Sequence, residues 1–181
     1  MTPEIRLDRL DVVAATARLD EIVAAYVEVY ADTEDEFFGE DRFRRQVAGH
    51  MGAPGWQLVS ADRDGHLIGF IYGFALPAAT KWWQGLVTEV PYGFVDEDGH
   101  RTVAISEILV RAPWRRRHVA RRLHDTFLSA RSEKRATLLV EPDNGPAQAA
   151  YAGWGWRKVA QLRPSWESAP LYDVLVLDRT G

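Results

Sequence analysis

The sequence predicts an α+β fold, a mixed and mostly antiparallel sheet flanked by helices, built as a single domain over residues 1–181. Three observations predict it. Two strand-length apolar runs, Trp56–Ala61 and Leu67–Leu76, are joined by Asp62-Arg63-Asp64-Gly65, a connection short enough for an antiparallel hairpin. Between residues 102 and 152 the apolar spacing alternates between strand and helix, giving a strand-helix-strand-helix succession. Hydrophobic residues at 46% and charged residues at 27% are globular values, so wholesale disorder is excluded.

Taken in order, residues 4–8 read as a first strand. Asp11 then caps a helix whose apolar positions Val12, Leu19, Ile22, Val23, Tyr26, Val29 and Tyr30 recur at helical spacing. A second helix spans Asp41–His50, with Phe43 and Val47 on one face. After the hairpin, a short strand is expected at Tyr92–Val95, and the Asp98-Gly99 turn separates it from a long strand, Thr102–Val110. A helix opens after Pro113-Trp114, carries Val119, Leu123, Phe127 and Ala130 on one side, and ends near Arg131–Lys134. Thr137–Val140 is a continuous apolar run of the type buried on both faces of a sheet. Asn144 and Pro146 start a further helix, Gly153 and Gly155 end it, and strands at Trp156–Leu162 and Leu171–Leu177 complete the order.

Composition removes several chemistries. With no cysteine there is no disulfide scaffold, thiolate metal site or thiol nucleophile, which favours a cytoplasmic protein. Lys and Arg number 22 against 26 Asp and Glu, so the net charge of −4 does not suit a nucleic-acid coat. The longest apolar run, Leu67–Ala79, has 13 residues and contains Pro77. A membrane-spanning helix needs about 20. The acidic opening MTPEIRLDRLD is not a signal peptide. P-loop, dinucleotide-binding, H-E-x-x-H and G-x-S-x-G patterns are absent, and the five histidines stand in no ligand spacing, so no metal site is expected.

The informative stretch runs from Ile108 to Leu123: a strand end, the basic turn Arg115-Arg116-Arg117-His118, and a helix start. Unpaired N–H groups and the helix dipole put positive potential there, and the arginines add to it, a setting suited to a pyrophosphate. Between Arg111 and Arg135 nine Lys or Arg face only two acids, Asp125 and Glu133. A solvated basic face is the alternative.

This stretch resembles the acyl-CoA-binding motif of the GNAT superfamily of N-acyltransferases, Q/R-x-x-G-x-G/A, with Arg115 first, His118 where that family has glycine, and Ala120 last. A second match follows: Asn144, Ala147, Ala150, Tyr151, Gly155 and Trp156 resemble the family's N-x-x-A-x-x-x-Y-x-x-x-G-F/W helix. The resemblance covers residues 56–178, and the first 55 by element order alone. It implies a GNAT-like fold with splayed central strands, in which the strand ending at Val110 and the strand at 137–140 diverge and leave a wedge for acetyl-CoA. The implied cofactor-binding residues are Ile108, Leu109, Val110, Arg115, Arg116, Arg117, His118, Val119, Ala120, Arg121, Asn144, Ala147 and Tyr151. Pantetheine would pair with the strand at Ile108–Val110, and the Val110 N–H would polarise the carbonyl oxygen.

Two catalytic residues are expected. Glu107 shares an alternating face with Val103, Ile105 and Leu109, so a carboxylate interrupts an apolar stripe. It is either a general base of raised pKa, an ion-pair partner of a nearby arginine, or a solvent-open rim residue. The resemblance makes Tyr151 the acid that protonates the departing sulfur, the alternative being core packing. Residues 20–41 carry nine acids and no Lys or Arg, either an acidic wall that draws in an amine or solvated helix faces. Trp82 and Trp83 either form an aromatic cation site or cover the core. The expected activity is direct acetyl transfer to a small or peptide amine in a ternary complex, with no nucleic-acid or membrane partner and with a homodimer left open. A non-catalytic acyl-CoA-binding sensor or interaction domain is the alternative.

Overall fold

The computed structural model describes residues 4–179. The chain forms two compact units. One runs through Phe74 and takes up Ser106–Arg131; the other comprises Ala75–Ile105 and the chain from Ser132 onward.

In the first unit, strand β1 (Arg6–Leu10) pairs antiparallel with β2 (Gln57–Arg63), from Arg6 opposite Asp62 to Leu10 opposite Leu58. β2 pairs antiparallel with β3 (His66–Ala75) through a two-residue turn, Asp64-Gly65. Both turn residues have positive φ, 52° and 79°, the left-handed geometry whose twist matches that of the flanking strands. Four helices complete this unit: α1 (Val12–Ala17), α2 (Leu19–Val29), α3 (Glu40–His50) and α4 (Val119–Ser129). α4 packs against β1 and β2, burying Val119, Leu123 and Phe127. α2 and α3 pack on each other, with Tyr26 and Phe43 stacked at 3.7 Å and Phe43 resting 6.3 Å from the Phe70 ring of β3.

The helix expected from Asp11 to Tyr30 is two helices. Asp11 caps α1 by accepting from the Ala14 N–H at 2.8 Å, as the sequence indicates. The break falls at Arg18, whose guanidinium donates to both oxygens of buried Asp62 on β2, at 2.6 and 3.2 Å, and to Glu21. Helical spacing continues across the break, so periodicity alone does not reveal it.

In the second unit, the first residues of β4 (Thr102–Val110) pair in parallel with β5 (Arg135–Val140), Thr102 opposite Arg135, Val103 opposite Ala136 and Ala104 opposite Thr137. The parallel register comprises these three pairs, although β4 runs on to Val110 and β5 to Val140. β5 pairs along its whole length with β7 (Tyr172–Asp178), and β7 with β6 (Arg157–Leu162), both antiparallel. α5 (Gly145–Gly153) follows β5. The hydrogen-bonded order is β1-β2-β3-β4-β5-β7-β6, a mixed and mostly antiparallel sheet as expected.

The strand expected at Tyr92–Val95 is a turn. Gly93 has φ 77°, the Phe94 N–H donates to the Pro91 carbonyl, and the carbonyls of Gly93 and Asp96 are taken by Arg101 Nη1, both at 2.6 Å. Arg135 Nη2 takes the Phe94 carbonyl and reaches Glu97 Oε1 at 2.8 Å. Trp83 Nε1 and Thr102 Oγ1 donate to that same oxygen, at 3.1 and 2.8 Å. Backbone carbonyls that a strand would spend on a ladder here hold guanidinium groups. Trp83 does carry a cation, the chain's own Arg135 at 5.3 Å from the ring, and is 6% exposed, which favours core cover over a substrate site.

Among the described residues no helix is long and apolar enough to cross a membrane, and no group of three His, Cys, Asp or Glu could hold a metal ion.

Candidate active site

β4 is buried at both ends and partly open at Ser106, Glu107 and Ile108. Its C-terminal end is drawn tight against β3: the Arg111 N–H donates to the Ile68 carbonyl at 2.9 Å, and a Cβ on Gly69 would sit 2.6 Å from the Leu109 carbonyl oxygen. Glycine is required there for close approach of two backbones.

Glu107 accepts a hydrogen bond from the Tyr30 hydroxyl at 3.1 Å. Tyr30 closes α2, stacks on Phe38 and meets the Tyr26 ring at a tilt of 49°, each at 4.6 Å, so the hydroxyl is held by packing. Desolvation lifts the Glu107 carboxyl to about 7, against opposition from the Tyr30 hydrogen bond and from the charge of Arg42. Taken as a whole residue, Glu107 is half-buried. Of the three readings of Glu107 the ion pair is the one the geometry does not support, because its hydrogen-bond partner is a tyrosine and Arg42 acts through space.

Beside it, Ser106 Oγ donates to the Tyr72 hydroxyl at 3.0 Å, His50 Nδ1 lies 3.0 Å from that hydroxyl and 3.3 Å from Ser106 Oγ, and Gln46 Nε2 donates to Tyr72 at 3.1 Å. Burial, with help from the Arg42 charge, drops His50 to about 4, so the ring is neutral at pH 7. Adjacent strand residues ordinarily point to opposite faces. Here Ser106 and Glu107 both reach side chains of the α2–α3 layer, so the simple alternation used to place Glu107 fails locally.

Past Val110 the chain makes a short 3-10 turn, Ala112–Trp114, and Arg115 Nε folds back to the Val110 carbonyl at 3.1 Å. Arg116 and His118 have φ of 56° and 60°, which keeps the basic triplet in a turn and delays α4 until Val119. His118 thus adopts the left-handed backbone that glycine supplies in the related motif, at a cost of roughly 1 kcal/mol. Its side chain makes no capping bond, so the leading N–H groups of α4 remain available. Arg116, Arg117 and His118 are exposed, and Arg117 lies 5.3 Å over the Trp114 ring. The other arginines of the basic run are engaged: Arg111 with Glu28, Arg121 with Asp125, Arg122 with the Ile5 carbonyl, Arg131 with that of Gly55 and Arg135 with Glu97.

Ile108, Leu109, Val110 and residues 115–121 therefore lie together in the first unit. Asn144, Ala147 and Tyr151 belong to the second. Asn144 Oδ1 caps α5 by accepting from the Ala147 N–H at 3.3 Å. Tyr151, 9% exposed, meets Trp154 and Trp156 edge-on at 5.6 and 5.9 Å. Of the nine acids in residues 20–41, Asp20 and Glu40 pair with Arg44, Glu21 with Arg18 and Glu28 with Arg111, and Asp35 caps the Glu36–Phe38 turn. Sequence reasoning took Tyr30 for core and passed over Gln46, His50, Tyr72 and Ser106. The four-residue recurrence of Arg42, Gln46 and His50 on α3 is the signal that marks this cluster.

Residues 18–156 match the Acetyltransferase (GNAT) family. The chain belongs to that family, whose acyl donor is acetyl-CoA. Among solved structures it is similar to a protein of Pyrococcus horikoshii, at TM-score 0.67 and 20% identity over 98% of this chain and 99% of the other. It is similar also to the ribosomal-protein-S18-alanine N-acetyltransferase of Escherichia coli, at TM-score 0.62 and 14% identity over 98% and 97%. A third is yncA of Salmonella typhimurium, solved with its cofactor acetyl-CoA, at TM-score 0.64 and 12% identity over 97% and 94%. At these identities the likeness is one of fold. Comparison with curated protein sequences gives no match.

Proposed function

We propose that this protein transfers the acetyl group of acetyl-CoA to the nitrogen of an amine by direct attack, with Glu107 as general base and Tyr151 as general acid. The observation that carries the reading is Glu107: a half-buried residue of β4 whose carboxyl is held by the Tyr30 hydroxyl at 3.1 Å and pushed up by burial to about 7. A base poised near the working pH combines a useful ionised fraction with real proton affinity. The exposed turn Arg116-Arg117-His118 and the uncapped N–H groups of α4 fit a diphosphate. The Ile108–Val110 segment, beyond the three-pair ladder with β5, would receive the pantetheine amides as an added strand.

In the reaction the amine nitrogen forms a bond to the acetyl carbon as the carbon–sulfur bond breaks. Glu107 takes the proton the nitrogen sheds, directly or through a water, and Tyr151 gives one to sulfur. Holding both substrates together replaces a bimolecular encounter, and no acyl-enzyme is needed.

Thiol release from acetyl-CoA across a panel of primary amines tests this. Glu107→Gln should lower kcat by about 10²–10⁴-fold with KM for acetyl-CoA little changed, and Tyr151→Phe should lower kcat by at least about tenfold. Parallel double-reciprocal plots with acetyl label retained on the protein would overturn direct attack.

A further inference from the structure

On α3, Arg42, Gln46 and His50 recur every four residues and so share one stripe of the helix. Gln46 and His50 face the sheet, both meeting the Tyr72 hydroxyl and Ser106 Oγ. Ser106 adjoins Glu107, so the stripe lies over the part of β4 that carries the proposed base. Arg42 is its N-terminal member.

Arg42 is held in place by an aromatic ring. Its guanidinium carbon lies 3.3 Å over the centre of the Phe37 ring. Its charge is felt by Glu107, Tyr72 and His50 alike. Yet no carboxylate lies within ion-pair distance of it among the described residues, in a chain with 26 acids. Glu40 and Asp20 are taken by Arg44, and Glu107 is bonded to Tyr30. A half-buried guanidinium, preorganised by stacking and lacking an anion, offers a planar fork that matches a carboxylate with two parallel hydrogen bonds. His50, neutral at pH 7, adds no second positive charge, which suits a singly charged anion better than a phosphate.

We infer that Arg42 binds a carboxylate of the acceptor, so that the acceptor is an amine that also carries a carboxylate, of the amino-acid class, with its nitrogen directed to Glu107. This rests on the transfer reading above and adds the substrate class. The acidic residues Asp32, Glu34, Glu36 and Asp41, which lie exposed on the loop before α3 and at its start, supply the opposite sign for the ammonium group of such a ligand.

The test is isothermal titration of the full chain, saturated with CoA, against amino acids and against their amidated and decarboxylated counterparts, with thiol release from acetyl-CoA followed in parallel. Carboxylate-bearing amines should bind at least tenfold more tightly than their counterparts. Arg42→Gln should erase that difference while CoA binding is kept, and Arg42→Lys should restore part of it. Equal affinity for the paired ligands, a difference that survives in Arg42→Gln, or no carboxylate-dependent binding at all overturns the inference. Turnover of amines regardless of a carboxylate overturns the substrate class alone and leaves acetyl transfer standing. Carboxylate-dependent binding without thiol release from any amine overturns the transfer reading and leaves the Arg42 site standing.

Discussion

At the scale of single residues, the Tyr30 hydroxyl and the Glu107 carboxyl form a hydrogen-bonded pair at the position of the proposed base. The Tyr30 hydroxyl favours the ionised carboxylate and opposes desolvation, which favours the protonated acid. Removing the hydroxyl in Tyr30→Phe therefore leaves desolvation less opposed, and the carboxyl moves upward from about 7. The acid limb of the kcat/KM profile should shift to higher pH, with activity regained above it; an unmoved limb would show that Glu107 is not the titrating base. The sign also bears on stability. A carboxyl whose folded pKa is raised binds more protons folded than unfolded between its ordinary value of 4.5 and about 7, so stability falls across that window as pH rises. The destabilisation is fully present above about 7.

Elements were legible to different degrees, for physical reasons. The hairpin, β4, β5 and α5 follow from turn chemistry and from apolar runs, which are local properties of the chain. The break at Arg18 and the turn at 91–96 depend on partners distant in sequence, Asp62 for the first and Arg135 for the second. No window of neighbouring residues contains that information. The site divides along the same line. Glu107 and the basic turn announce themselves as charges out of pattern, whereas Tyr30 and His50 gain meaning only when two helices are laid over β4. The close approach of β3 to β4 gives a prediction at this scale. Gly69→Ala places a methyl 2.6 Å from the Leu109 carbonyl oxygen, so one strand must move. A loss of about 1–3 kcal/mol in chemical denaturation is expected, together with weaker CoA binding. Unchanged stability would mean that the two backbones separate at no cost.

At the scale of the whole molecule, each unit has its own buried polar anchor, Arg18–Asp62 in one and Arg135–Glu97 in the other. The Glu97 side chain is wholly buried, and Arg135 also gathers Thr102 and the Phe94 carbonyl. Taking away one partner strands the other charge in a desolvated place, which costs about 3–5 kcal/mol. Arg135→Ala should lower global stability by that amount, and pairing it with Glu97→Gln should recover a good part. Additive losses in the double variant would sink the idea that the two charges depend on each other.

The chain builds its first unit, leaves it after Phe74, returns at Ser106, and departs again after Arg131. Neither unit is a contiguous stretch, so no single cut separates them into independently expressible halves. On the ribosome the hairpin and its helices emerge well before β4 and α4 exist to cover them, and the first unit has to wait until Arg131 has been made. Synthesis order and assembly order must therefore differ, and nascent chains halted near residue 100 should be the ones most readily digested by protease.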